Sequence, residues 1–143
     1  MVNYPTRNEE VSIVNSTTSN IDIKHKPIMT KKDIIEFQSF IPKVPIAESV
    51  VEFAVDLVNS TRPSNKSSSF AKKWIEWGAG PRASQYLVLG AKAKALIDGK
   101  SSPSIKDIKS LALPILRHRI IPNFNADAEG MKVEDIINEL LKL

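Results

Sequence analysis

Apolar residues recur along most of the chain at the spacing of amphipathic helices. In the clearest stretch they fall at i, i+4, i+7, i+8, i+11 and i+12, at Ile46, Val50, Phe53, Ala54, Leu57 and Val58. This pattern predicts a helix that ends near Thr61. Polar or proline-containing segments separate it from further helices on both sides.

The N-terminal segment predicts a short first helix. Thr6 and Glu9 have the spacing of a capping box, in which each side chain bonds the backbone N–H of the other residue. The helix is expected over about residues 6–16, because a Ser/Thr/Asn cluster follows. Residues 21–29 have no helical period and are predicted to form a loop.

A second helix and one extended segment complete the first half. Thr30 and Asp33 repeat the capping spacing, and Pro42 ends the helix that they open. Further on, Phe70–Trp77 combines aromatic, apolar and charged residues, which predicts a short strand or extended arm. If this segment is a strand, Lys43–Ile46 is its expected partner.

Boundary signals predict three more helices in the second half. Gly80-Pro81 begins the first of these helices and Asp98-Gly99 ends it. Ser104 with Asp107 begins the second, and Val133–Leu141 forms the third. The predicted fold class is therefore all-α, a small bundle of five or six helices with at most one short strand pair. Residues 62–69 (RPSNKSSS) are predicted to be a flexible surface loop.

Composition adds an expectation about class and location. The chain has 143 residues and no cysteine, which excludes disulfides, thiolate zinc sites and a cysteine nucleophile. No apolar run approaches the roughly 18 residues that span a bilayer, and the first ten residues are too polar for a signal peptide. We expect a single domain in the cytoplasm, with no membrane partner.

The charge is unevenly distributed along the chain. Residues 66–143 contain 13 basic and 8 acidic side chains, a net charge of +5, whereas the whole chain carries +4. An anionic partner such as nucleic acid would use such an excess, but a charge excess this small is more often a solvated surface. We therefore do not expect nucleic acid to be a partner.

Motifs for autonomous chemistry are absent from the sequence. None of the five glycines belongs to a GxxxxGK[ST] loop or a GxGxxG turn. His25 and His118 are far apart and lack partners at zinc-ligand spacing. The sequence predicts neither a catalytic site nor a metal site within this chain.

Arg82 is the most informative charged residue. It follows Gly80-Pro81 and falls in the first turn of the predicted helix, where the helix dipole disfavours a positive charge. Backbone N–H groups and a guanidinium at this position suit a phosphate. A surface arginine paired with a nearby carboxylate is the alternative that the residues leave open.

Two other groups are weaker candidates. Arg117, His118 and Arg119 lie near the end of a predicted helix, where the dipole favours cations, so helix capping explains them. Trp74 and Trp77 would suit base stacking, but the flanking Ile75 favours anchoring of both indoles in the core.

Four segments together resemble a known domain. These are Trp77–Ser84 (WGAGPRAS), Ser104–Ile108 (SIKDI), Leu116–Ile120 (LRHRI) and Val133–Ile137 (VEDII). In order and spacing they resemble the C-terminal lid of MoxR-type AAA+ ATPases. The resemblance covers nearly the whole chain and is strongest from Trp77 onward.

Earlier segments resemble the same family more loosely. Tyr4–Thr6 with Glu9 and Glu10 resembles the junction with a preceding nucleotide-binding subdomain, so residues 1–20 would be that junction and 1–143 one lid domain. Val55–Val58 with Thr61-Arg62 resembles the middle helix of the lid.

The resemblance implies roles for individual residues. Arg82 occupies the position of the sensor-2 arginine, which contacts the γ-phosphate of ATP, while Gly78, Gly80, Pro81 and Ser84 form the supporting loop and helix start. Gly80 replaces the serine that is usual in the family. ATP and Mg would be bound by Walker motifs of a preceding subdomain, so this chain alone should not hydrolyse ATP.

The resemblance also implies partners. They are the chain's own nucleotide-binding subdomain, neighbouring subunits of a ring and a von Willebrand factor A-domain protein, in a chaperone-like machine for assembly or metal insertion. The alternative is a free-standing helical module that binds nucleic acid or protein.

Overall fold

A computed structural model describes residues 4–20, 26–64 and 69–142. The contacts divide the chain into two compact units, Met1–Asp33 and Ile34–Leu143. In chain order the elements are α1 (Arg7–Thr18), α2 (Lys31–Phe40), the 3-10 turn η1 (Ile41–Lys43), α3 (Glu48–Ser60), α4 (Ser69–Trp74), β1 (Ile75–Trp77), α5 (Pro81–Ile97), α6 (Ile105–Leu116), β2 (Ile121–Pro122), α7 (Phe124–Glu129) and α8 (Val133–Leu140). The predicted all-helical class with one strand pair is confirmed.

The predicted capping box begins α1. The backbone N–H of Thr6 donates to a carboxylate oxygen of Glu9 at 2.7 Å, and the Glu9 N–H donates to the Thr6 hydroxyl oxygen at 3.4 Å. No residue of α1 is buried, and its apolar side chains Val11, Ile13 and Val14 are each about half exposed. Capping, and not burial, therefore fixes the start of this helix.

The second unit contains the hydrophobic core. Its fully buried side chains come mainly from α3, α5, α6 and α8, among them Val58, Leu87, Ile108, Leu116, Ile136 and Ile137. Packing of α5 against α6 is close because α5 presents small residues to its neighbour. A Cβ atom added at Gly90 would lie 3.0 Å from Cδ1 of Leu111.

The segment before α5 differs from the sequence prediction. Ser69–Trp74 is helical, and only Ile75–Trp77 is a strand. This strand pairs antiparallel with Ile121–Pro122, so the predicted pairing with Lys43–Ile46 is wrong. Lys43 instead ends η1, and the carbonyl of Pro42 accepts a hydrogen bond from Lys92 Nζ on α5.

Two loop predictions fall partly outside the described residues. Residues 21–25 of the predicted 21–29 loop and residues 65–68 of the predicted 62–69 loop are not described. Ser69, placed in the loop by the sequence, is the first residue of α4. The structure also adds α7, which begins at the N-cap Asn123 and ends at Gly130 in the left-handed conformation.

No helix among the described residues is long and apolar enough to cross a bilayer.

A buried carboxylate fixes the start of α6. The two oxygens of Asp107 accept hydrogen bonds from Lys100 Nζ at 2.8 Å and from the backbone N–H and hydroxyl of Ser104 at 2.9 and 2.8 Å. Asp107 is only 2% exposed. Lys100, and then Ser104, hold the pKa of the Asp107 carboxyl well below its usual range.

This carboxylate predicts an acid-sensitive contribution to stability. Because the pKa of Asp107 is lowered on folding, its contribution is complete above the unfolded-state pKa of roughly 3.9 and is lost as pH falls below it. We expect Asp107→Asn to lower the free energy of unfolding by about 2 kcal/mol at pH 7. The difference from wild type should shrink towards pH 2 in urea unfolding measured by circular dichroism.

Glu52→Gln is the matched control, because Glu52 is an exposed carboxylate on α3. It should leave the unfolding curve at pH 7 nearly unchanged. A constant difference between Asp107→Asn and wild type from pH 7 to pH 2 would contradict the assignment.

Candidate functional site

The start of α5 follows a short turn from β1. Gly80 is the N-cap residue, with φ −83° and ψ 176°, and provides no side-chain cap. Pro81 occupies the first helical position, where its missing N–H is no loss. Arg82 is therefore the second helical residue, and its side chain is exposed.

Two residues at the end of α3 hold this turn in place. The Thr61 hydroxyl donates to the carbonyl of Val58 at 2.7 Å and accepts from the Ala79 N–H at 2.9 Å. Arg62 Nε donates to the Ala79 carbonyl at 2.9 Å. Since Thr61 and Ala79 are buried, these bonds satisfy backbone groups that water does not reach. We call these contacts the α3 clasp.

Gly78 is required for the α3 clasp because the two backbones approach closely. A Cβ atom at Gly78 would lie 2.4 Å from the Thr61 carbonyl oxygen and 2.7 Å from the Arg62 Cα. At Gly80, by contrast, a Cβ atom would meet no atom within 4 Å. The first glycine is thus a packing requirement, whereas the second tolerates a side chain.

Arg82 lies at an open end of α5. Within the part of the chain that the structure describes, no carboxylate pairs with its guanidinium. The exposed N-terminal turn and this cation together present positive potential to solvent. This arrangement suits an anion.

The predicted supporting residues separate into two places. Gly78, Gly80 and Pro81 line a surface cleft of about 380 Å³ together with Arg62 and Trp77. Ser84 lies elsewhere, in an apolar groove between α3 and α5. The structure therefore brings the glycines and proline together but not the serine.

The second cationic segment anchors the end of α6. Arg117 forms an ion pair with Glu134 of α8, with 3.0 Å between Nη2 and Oε1. Arg119 donates to the Ile115 carbonyl and also contacts the ring of His118.

The Arg119 guanidinium also lies 5.3 Å from the ring centre of Tyr86 on α5. The contacts of Arg117 and Arg119 tie α6 to α8 and α5.

The two tryptophans have opposite environments. Trp74 is 6% exposed and belongs to the core, as predicted. Trp77 is 70% exposed, so the prediction that it points inward is wrong. Regular alternation along the strand would place Ile75 and Trp77 on the same face. A register irregularity between these two residues breaks that alternation.

Sequence reasoning did not find the α3 clasp. The sequence indicates Thr61 as a helix end and Arg62 as a loop residue, and both as part of a resembling segment, but it does not indicate that Thr61 is one of two buried polar side chains among the described residues. A threonine at a helix end often bonds a preceding carbonyl, and that was the available signal. Its long-range bond to Ala79 has no local signature.

Comparison with known proteins identifies the class. The AAA lid domain family matches residues 68–140, which is just over half of the chain. The chain belongs to this family. Its relatives indicate the MoxR-type branch, because the chain is 28% identical over 142 residues to the chaperone MoxR1 of Mycobacterium tuberculosis.

Two further proteins are similar over almost the whole chain. The uncharacterised protein YeaC of Bacillus subtilis is 29% identical over 139 residues. The crystal structure of a candidate ATPase from Cytophaga hutchinsonii superposes with a TM-score of 0.81 at 31% identity and covers 99% of the chain.

The chain spans only part of each of these proteins. It covers 37% of MoxR1, 41% of YeaC and 43% of the Cytophaga hutchinsonii chain. The chain therefore spans less than half the length of each of these relatives.

Substitutions of Gly78 and Gly80, in the turn before α5, should have different effects. We expect Gly78→Ala to lower the free energy of unfolding by about 1–3 kcal/mol, because the new methyl group meets backbone atoms that cannot move aside. Gly80→Ala is the matched control and should change stability by less than about 0.5 kcal/mol, since space is open there. Thermal unfolding measures both, and equal effects would refute the packing role of Gly78.

Proposed function

We propose that this chain is the lid of a MoxR-type ATPase and that Arg82 is its sensor-2 residue. The observation that carries the proposal is the position of Arg82, exposed at the second residue of α5 on a turn fixed by the α3 clasp. A guanidinium held there stabilises negative charge on the γ-phosphate as the phosphoryl bond breaks. Family membership favours the lid over a free-standing module.

In this proposal ATP and Mg are bound mainly by a nucleotide-binding subdomain. The chain contributes the arginine and the helix start, while Gly78, Gly80 and Pro81 shape the turn and Ser84 packs beside α3. Arg117, His118 and Arg119 fasten helices and do not contact the nucleotide. The lid alone is inactive, because no GxxxxGK[ST] motif occurs in it.

Exposed apolar surface supports an interaction with a partner domain. No residue of α1 or α2 is buried, and α2 leaves Ile34, Ile35, Phe37 and Phe40 each about half exposed. Apolar surface of this kind usually marks an interaction site. We propose that a nucleotide-binding subdomain and neighbouring ring subunits cover it, with residues 1–20 as the junction.

The proposed setting follows the named relative. MoxR1 is a chaperone, and we propose a chaperone-like assembly or metal-insertion role in the cytoplasm for the machine to which this lid belongs. A von Willebrand factor A-domain protein is the proposed partner of that machine.

Loss of the Arg82 guanidinium should impair ATP turnover in the full-length ATPase that contains this lid. We expect Arg82→Ala to lower kcat by a factor on the order of 10², because one preorganised donor to the transferring phosphoryl group is lost. Steady-state phosphate release measures this effect.

Upstream of Tyr4 the reading frame should encode a GxxxxGK[ST] motif, and the absence of this motif would contradict the proposal.

Lys106→Ala is the matched control for this assay. Lys106 is an exposed cation at the second position of α6, as Arg82 is at the second position of α5. Turnover should be unchanged in the control. Unchanged turnover in Arg82→Ala would refute the sensor role.

A further inference from the structure

Trp77 is an exposed aromatic side chain that the proposed phosphate contact does not explain. Its indole is 70% exposed, whereas Trp74, three residues earlier, is 6% exposed. An exposed indole beside a candidate site offers a large, rigid, amphipathic face to a ligand or partner.

The backbone under Trp77 is fixed from both sides. On one side β1 pairs with β2, where Trp77 lies opposite Ile121. On the other side Gly78 packs against the Thr61 carbonyl and Ala79 is bonded to Thr61 and Arg62. The indole therefore projects from a preorganised strand, which reduces the entropy lost when a ligand binds.

The indole borders a cleft of suitable size and chemistry. The cleft has a volume of about 380 Å³, and its mostly apolar wall is formed by Trp77, Pro63 and the turn 78–81, while Glu76 and Arg62 also line it. Small-molecule sites in proteins have volumes of roughly 300–1,000 Å³ and the same mixture of apolar walls and a few polar groups. A flat heteroaromatic ring fits this description.

We propose that Trp77 stacks on the base of the nucleotide whose phosphates Arg82 contacts. This inference rests on the proposed function. Trp77 and Arg82 are five positions apart in the chain, so their Cα atoms are at most about 18 Å apart. A nucleoside triphosphate is elongated, with its base at one end and its phosphates at the other, and the turn 78–81 connects the two contacts.

Stacking would give this lid a second role in nucleotide binding. Arg82 senses the phosphates and Trp77 holds the base, so ATP binds more tightly than tripolyphosphate, which has no base. Base–aromatic stacking is tolerant of base identity. The lid therefore distinguishes nucleotides from base-free polyphosphates more strongly than it distinguishes adenine from guanine.

The test is an NMR titration of the full 143-residue chain with labelled indole nitrogens. Adenosine, ATP and tripolyphosphate are added separately. We expect ATP and adenosine to shift the Trp77 indole resonance saturably, while tripolyphosphate does not. The buried Trp74 indole provides an internal control and should not shift with any of the three.

Two substitutions at the exposed position measure the effect of stacking. Trp77→Leu should weaken ATP binding roughly 10- to 100-fold, whereas Trp77→Phe, which keeps an aromatic face, should retain most of the affinity. Binding of tripolyphosphate should be the same in both variants and in wild type. Circular dichroism verifies that each variant is folded.

Arg82→Ala separates this inference from the proposed function. It should weaken tripolyphosphate binding and leave the adenosine response of Trp77 unchanged. If Arg82→Ala has no effect on tripolyphosphate but Trp77 still responds to adenosine, the sensor role fails and the stacking role stands.

Three results would overturn the stacking proposal. One is the absence of a saturable Trp77 response to both ATP and adenosine. Another is equal ATP affinity in Trp77→Leu and wild type. The third is that Trp77 responds to self-association of the chain and not to nucleotide, which would mean that protein surface covers the indole.

Discussion

The Thr61 hydroxyl connects the end of α3 to the turn before α5, and the position of Arg82 follows from that connection. It donates to the Val58 carbonyl within α3 and accepts from the Ala79 N–H across the turn. Arg62 completes the attachment by bonding the Ala79 carbonyl. A turn bonded through both backbone groups of one buried residue cannot shift without leaving unpaired polar groups, which costs about 1–3 kcal/mol each.

Packing of the helices and placement of the arginine are therefore parts of one arrangement. Small residues on α5 bring it close to α6, and Gly78 allows the preceding turn to touch α3. The helix is buried along Ala83, Leu87 and Ala91, which leaves its opposite face and its first turn open. Arg82 is exposed because it precedes the first buried position of a helix that is otherwise fixed.

Elements with local signals could be predicted from the sequence. The carboxylates of Glu9, Asp33 and Asp107 each accept the backbone N–H three residues earlier, as the capping spacing indicated. Gly99 follows the end of α5 and has the left-handed conformation, as the Asp98-Gly99 pair indicates. Such features depend on residues within one turn, so the sequence contains all the information needed.

Elements that depend on distant residues could not be predicted. The partner of β1 is a two-residue strand more than forty positions away, placed by the end of α6. The short helices α4 and α7 have six residues each, too few to show a helical period. The sequence predicts the wrong side for Trp77 because an irregular register breaks the usual alternation of the strand. The α3 clasp could not be predicted because it joins residues 18 positions apart. For the site, a motif indicated Arg82, but only the fold shows what holds it.

The most direct test of this account is a double-mutant cycle on ATP turnover with Thr61→Val and Arg82→Ala in the full-length ATPase to which we propose this lid belongs. If the clasp acts by positioning Arg82, Thr61→Val lowers kcat in the presence of the arginine and has no further effect in its absence. Circular dichroism at the assay temperature verifies that each variant is folded. Equal losses from Thr61→Val in both backgrounds would contradict the account, because the hydroxyl would then act independently of Arg82.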